Sequence, residues 1–169
     1  MKGMPRAQDD LPVTLSVLDR LIDTDPTNST EAPLRPAQTR RQLKEALRRD
    51  LEWLLNTRRI AIEPDEALTE VNRSLYVYGL PDLSSYSLAS QKDQAKLLRI
   101  IQSTIKTFEP RLANVRIASV EIPTSGLQAL RLRVEGMLNV GPAPEYVSFD
   151  TLFELRSGTC SVRGDADAG

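Results

Sequence analysis

Beyond a polar opening of residues 1–10, Leu11, Leu15, Leu18 and then Leu21 or Ile22 recur at spacings of three and four. That spacing predicts a short helix with one apolar stripe, and Asp19, Arg20 and Asp23 fall at or beyond its edge. Asp25-Pro26 stops it, and residues 27–36, crowded with proline and small polar residues, read as a linker. Such an element either folds back on its own core or buries its stripe in a partner's groove.

A second, stronger helical pattern runs from Thr39, a candidate cap, to about Thr57. Leu43, Leu47, Leu51, Leu54 and Leu55 line one face, with Ala46 and Trp53 on its flank. Arg40, Arg41, Lys44, Arg48 and Arg49 crowd the remainder, interrupted by Glu45, Asp50 and Glu52. A solvated helix face is the commoner outcome for such a run, and a cationic patch facing an acidic protein is the alternative. Pro64 then predicts the start of a short helix, with Asp65, Glu66 and Glu70 early and Leu68, Val71 and Leu75 as its apolar positions. Tyr76 to Tyr86 carries turn residues but keeps apolar anchors, as an ordered loop does. Ser90-Gln91-Lys92-Asp93 matches a capping box and opens a further helix striped by Leu97, Leu98, Ile101, Ile105 and Phe108, which Pro110 ends.

After Pro110 the period changes to two. Val115-Arg116-Ile117 starts a strand, residues 123–126 supply a hairpin turn, and residues 130–135 alternate cleanly between apolar and charged. Gly141-Pro142-Ala143-Pro144 breaks the chain before a third strand on Val147, Phe149, Thr151, Phe153 and Leu155. Ser157-Gly158 turns into a short fourth strand, Thr159 to Val162. The order predicts an α+β fold, N-terminal helices packed on a small antiparallel meander of three to four strands. The expected divisions are a docking segment and linker over residues 1–37, a folded domain over 38–163, and a disordered tail over 164–169.

Composition narrows the chemistry. The 169 residues include no histidine and one cysteine, Cys160. Histidine-based relays, the common zinc sites and an internal disulfide are therefore excluded, and no cofactor or metal is expected. A net charge of −1 and 5% aromatic residues argue against a nucleic-acid partner. No apolar run is long enough to cross a bilayer and the first residues lack a signal-like core, so a soluble cytoplasmic chain is expected. The remaining acid–base candidates are Glu109, Glu121, Glu135 and Asp150, and no phosphate loop, nucleophile elbow or metal-ligand cluster accompanies them. A muramidase using Glu109 or Glu121 with Asp150 is the enzymatic alternative.

One junction stands apart. In Phe108-Glu109-Pro110-Arg111-Leu112 the proline turns the chain out of the helix, and residues two apart in an extended stretch project together. Glu109 and Arg111 can pair with each other or form a two-charge knob for a partner. A helix stop with an incidental surface pair is the blander reading.

The run from Arg48 to Arg59, RRDLEWLLNTRR, resembles the signature of the TssE family of type VI secretion baseplate subunits. Tyr78-Gly79-Leu80-Pro81-Asp82, the Phe108–Leu112 block and the leading Ser16–Asp23 segment are similar to that family in the same order, a resemblance spanning about residues 13–156. The family groups with phage baseplate wedge proteins long labelled lysozyme-like. It departs at Tyr76-Val77, where the family usually carries Leu-Asn. The resemblance implies a non-enzymatic subunit that sits with TssF, TssG and TssK at the inner face of the inner membrane. It further implies that the subunit templates the first ring of the TssB–TssC sheath by sharing strands, and that Glu109, Pro110 and Arg111 dock it to the wedge core. The expected partner-contacting residues are these three with Leu15, Leu18, Asp19, Arg20, Leu21, Arg49 and Trp53. Alanine at Glu109 or Arg111 is expected to weaken assembly and leave the fold intact.

Overall fold

Residues 16–21, 36–121, 129–139, 144–155 and 157–164 are described by a computed structural model. Helix α1 spans Val17–Leu21, α2 Pro36–Asn56 and α3 Gln91–Phe108; strands β1 Leu112–Glu121, β2 Ala129–Leu138, β3 Glu145–Glu154 and β4 Thr159–Gly164 follow. Leu11, Leu15, the expected hairpin turn and most of the expected tail lie outside the described residues.

The leucine stripe of α2 does what its spacing requires: Leu43, Leu47, Leu51, Leu54 and Leu55 are all buried. The helix starts at Pro36, so Thr39 lies inside it and is not its cap. Proline suits a first turn because its missing N–H has no helical partner there. In α3 the Ser90 hydroxyl accepts the Asp93 N–H at 3.3 Å, and Leu97, Ile101 and Ile105 face the core.

The helix expected after Pro64 does not form. Residues 64–77 instead make turns and two short 3-10 segments, Val71–Arg73 and Leu75–Val77. Short polar side chains take the backbone groups that a helical ladder needs. The Asp65 carboxylate accepts the Ala67 N–H at 2.9 Å. The Asn72 amide donates to the Asp65 and Leu68 carbonyls at 2.9 and 3.0 Å. Leu68 and Leu75 point to solvent, so no tertiary burial supports a helix this short.

The strands form one antiparallel sheet in the order β1-β2-β3-β4. Its inner face, including Leu130, Leu132, Val134, Val147, Phe149, Phe153 and Val162, packs into the core shared with both long helices. Helix α2 lies against β4 and α3 against β1. The register of β1 breaks between Ala113 and Arg116, where Asn114 takes φ of 53° as bulge residues do. The outer edge of β4 is occupied by α2: the Asn56 amide donates to the Cys160 carbonyl at 2.7 Å and accepts its N–H at 2.8 Å. Arg48 adds a bond to the Val162 carbonyl at 3.1 Å. On β1, Gln102 of α3 reaches the Val115 carbonyl at 2.7 Å.

Cys160 sits under that amide clamp, and burial, with the nearby Glu52 charge second, pushes its thiol up to about 12. At pH 8 its thiolate fraction is about 10³-fold below that of a free cysteine. Alkylation by iodoacetamide in the native state is expected to be slower by at least that factor and to reach the free-thiol rate in denaturant. Native-state labelling at the free rate would contradict this burial.

Candidate functional site

The turn at Pro110 leaves Glu109 with φ of −122° and ψ of 75°, and its carboxylate folds inward to only 5% residue exposure. Arg111, two residues on, meets it side by side: Nε donates to Oε1 and Nη2 to Oε2, both at 2.6 Å. Of the two arrangements open from the sequence, pairing is the one observed, and it is a buried fork rather than a knob or an incidental surface pair.

The pair does not end there. Arg111 Nη2 also donates to Asp50 Oδ2 at 2.6 Å. Asp50 Oδ1 accepts from Arg49 Nε and Nη2 at 3.1 and 2.8 Å. Arg49 Nη2 in turn reaches Asp19 Oδ1 at 2.8 Å, and Asp19 Oδ2 accepts the Ser16 hydroxyl at 2.5 Å. Charges alternate along Glu109, Arg111, Asp50, Arg49 and Asp19, tying the α3–β1 junction through α2 to α1. The hydrogen bonds that Arg111 donates to Glu109, and then the one to Asp50, raise its guanidinium above its ordinary range against the opposing effect of burial.

Aromatic groups flank the chain. The Arg49 guanidinium lies 4.9 Å from the Trp53 ring centre, and Trp53 is 51% exposed. Tyr78 packs edge-on against Phe108 at 5.2 Å. Burial, then the Asp50 and Glu109 charges, raise the Tyr78 phenol above its ordinary value, which sets it beside the same carboxylates. Gly79 holds that loop to the end of α2, where the Leu80 N–H donates to the Thr57 carbonyl at 2.8 Å.

Helix α1 is tied to α2 through Asp19. The Asp19 side chain is 8% exposed, whereas Val17 and Leu21 are 71% and 76% exposed. The apolar position Leu21 is therefore not folded onto the chain's own core. Burial opposes ionisation of Asp19, but the Ser16 hydroxyl and the Arg49 guanidinium outweigh it and hold the carboxyl below its ordinary 3.8. A lowered carboxyl adds stability above the ordinary value and loses it as pH falls through the folded value. Asp19→Asn is therefore expected to cost about 1 kcal/mol at pH 7, with the difference from the native chain shrinking below about pH 4. Denaturation of both proteins across that range checks this; a pH-independent difference would contradict it.

Of the residues singled out from the sequence, Asp19, Arg49, Glu109 and Arg111 are joined in the ionic chain, with Trp53 stacked on Arg49 and exposed Pro110 at the turn. Leu18 and Arg20 lie on α1, and Leu15 lies outside the described residues. Asp50, the central acid of the chain, was legible only as one of several acids interrupting a basic helix face. Asp50 and Arg111 are 61 positions apart, and no local spacing announces their contact. Of the candidate acid–base carboxylates, Glu109 is locked to Arg111, while Asp150 pairs with Arg133 at 2.9 Å on the outer sheet face. No helix among the described residues is long and apolar enough to cross a membrane.

A family model described as baseplate wedge protein gp25 matches residues 41–143, from α2 past the end of β2. The matched span holds Arg49, Asp50, Trp53, Tyr78, Glu109 and Arg111 and leaves out Asp19. No curated protein and no solved structure matches the chain.

Proposed function

Because the chain belongs to the baseplate wedge protein gp25 family, a structural family of phage-tail-like baseplates, we propose that it is a TssE-type subunit of a type VI secretion baseplate. In this reading it acts without catalysis, linking the wedge to the first ring of the contractile sheath. The observation that carries it is the ionic chain, which gathers three separate sequence blocks around one partly open surface. Wedge proteins TssF, TssG and TssK seat on the rim formed by Trp53, Arg49, Arg111 and Pro110, while Glu109 acts through Arg111. Helix α1, with Leu18 and Leu21, and Leu15 before it, adds an apolar contact for the same wedge, Arg20 adds a charged one, and Asp19 keeps the helix on Arg49. The sheath proteins TssB and TssC share strands with the meander. Since α2 occupies the edge of β4, residues 116–121 of β1, beyond the Gln102 contact, are the edge offered. Assembly takes place at the cytoplasmic face of the inner membrane.

Trp53→Ala separates docking from folding, because the indole is half exposed. It is expected to leave the unfolding midpoint nearly unchanged and to reduce co-purification with TssF, TssG and TssK about tenfold. Undiminished recovery of the wedge would refute this docking surface. The purified chain is expected to release no soluble muropeptides from peptidoglycan; release abolished by Glu109→Gln or Asp150→Asn would establish the enzymatic reading instead.

A further inference from the structure

The segment from Ile60 to Tyr76 exposes Ile60, Ile62, Leu68, Leu75 and Tyr76, with Leu75 at 82%. Fixed hydrogen bonds shape this exposure. Asn72 holds the Asp65 and Leu68 carbonyls, Asp65 caps Ala67, and the Ser74 hydroxyl accepts the Tyr76 N–H at 3.2 Å. Glu66, Thr69, Asn72 and Arg73 line a cleft with Lys106 and Thr107 at the end of α3, so one side of the segment faces the body. The apolar side chains are therefore presented on a loop held in one shape, which limits the ordering that a partner must impose on binding.

Charge then selects the partner. Residues 60–76 carry Glu63, Asp65, Glu66 and Glu70 against Arg73 alone, a net of −3 in a chain whose total is −1. Glu63 is paired with Arg59 and Asp65 is engaged in its turn, but Glu66 and Glu70 have no ion pair among the described residues. Exposed leucine and isoleucine on a loop of net charge −3 complement an apolar segment carrying lysine and arginine.

We infer that residues 60–76 form a second docking surface, separate from the Arg49–Trp53 rim, for a basic amphipathic segment of another baseplate protein. The two surfaces differ in chemistry: the rim offers guanidinium groups and an indole, whereas this loop offers carboxylates and aliphatic side chains.

The test uses the full chain in its assembled baseplate, with a benzophenone amino acid placed at position 75 for photo-crosslinking. The expected product joins this chain to a lysine- or arginine-rich apolar stretch of one baseplate protein. In parallel, Leu75→Glu and the double variant Glu66→Lys/Glu70→Lys are expected to weaken recovery of that protein about tenfold, the double variant losing its defect as salt is raised. Positions 66, 70 and 75 are all exposed, so unfolding midpoints are expected to stay at the native value. No cross-link to a baseplate protein, a cross-link to a second copy of this chain or to lipid, or undiminished recovery with both variants would overturn the inference. If Trp53→Ala loses the wedge while Leu75→Glu keeps every baseplate protein, the second surface fails and the proposed function stands.

Discussion

Arg111→Ala is expected to destabilise the protein by about 3–5 kcal/mol, the range for removing one partner of a buried ion pair. The Glu109 carboxylate, 5% exposed, would lose both charge-assisted bonds and keep only the backbone N–H of residue 111 at 3.3 Å. Asp50 would lose its contact to Arg111 but retain Arg49. For a domain of this size the midpoint of thermal unfolding is expected to fall on the order of 10 °C. Glu109→Ala is expected to cost less, because Arg111 keeps Asp50 and reaches solvent, and Glu109→Gln/Arg111→Met is expected to recover much of the loss. Chemical denaturation of the three variants decides the matter, and a loss under about 1 kcal/mol for Arg111→Ala would show the pair to be no more than a surface contact. Burial of Glu109 thus replaces the expectation from sequence that alanine at either position leaves the fold intact.

Gly79→Ala is expected to cost about 3 kcal/mol. Gly79 has φ of +100°, a conformation that L side chains rarely adopt, and a Cβ there would lie 2.3 Å from the Thr57 carbonyl oxygen. That oxygen accepts the Leu80 N–H, and the Leu80 carbonyl accepts the Arg59 N–H at 2.9 Å, so relieving the clash would open the bridge between Arg58 and Leu80. Backbone strain of about 1 kcal/mol is joined by about 1 kcal/mol for each bond lost. Gly158→Ala is the control. Its φ of +67° carries similar strain, but the added Cβ meets the end of the Arg58 side chain, which can move aside. An equal loss at both positions, measured by urea denaturation, would contradict the role given to the Thr57 carbonyl.

Local pattern was enough to read the regular elements. The leucine stripe of α2 and the Ser90 cap of α3 appear where spacing and side-chain chemistry put them, and the alternation in β2 and β3 marks the buried face. Residues 64–75 misled because helical spacing of Leu68, Val71 and Leu75 says nothing of whether a core waits beneath them, and Asp65, Asn72 and Ser74 capture the backbone instead. The site was legible in its parts and not in its connection. Glu109 and Arg111 are neighbours whose projection follows from Pro110, whereas Asp19, Asp50 and Arg111 meet only after α1, α2 and the β1 junction have packed. The same packing turned a candidate surface acid into a buried one.

Imaging a fluorescently tagged sheath protein in living cells that lack this chain shows whether the sheath is built on it. No extended sheaths are expected without the chain, with recovery to normal number and length on return of the native chain and poor recovery with Trp53→Ala at equal protein level. Sheaths of normal number and length in cells without the chain would contradict its role as the platform on which the sheath is built.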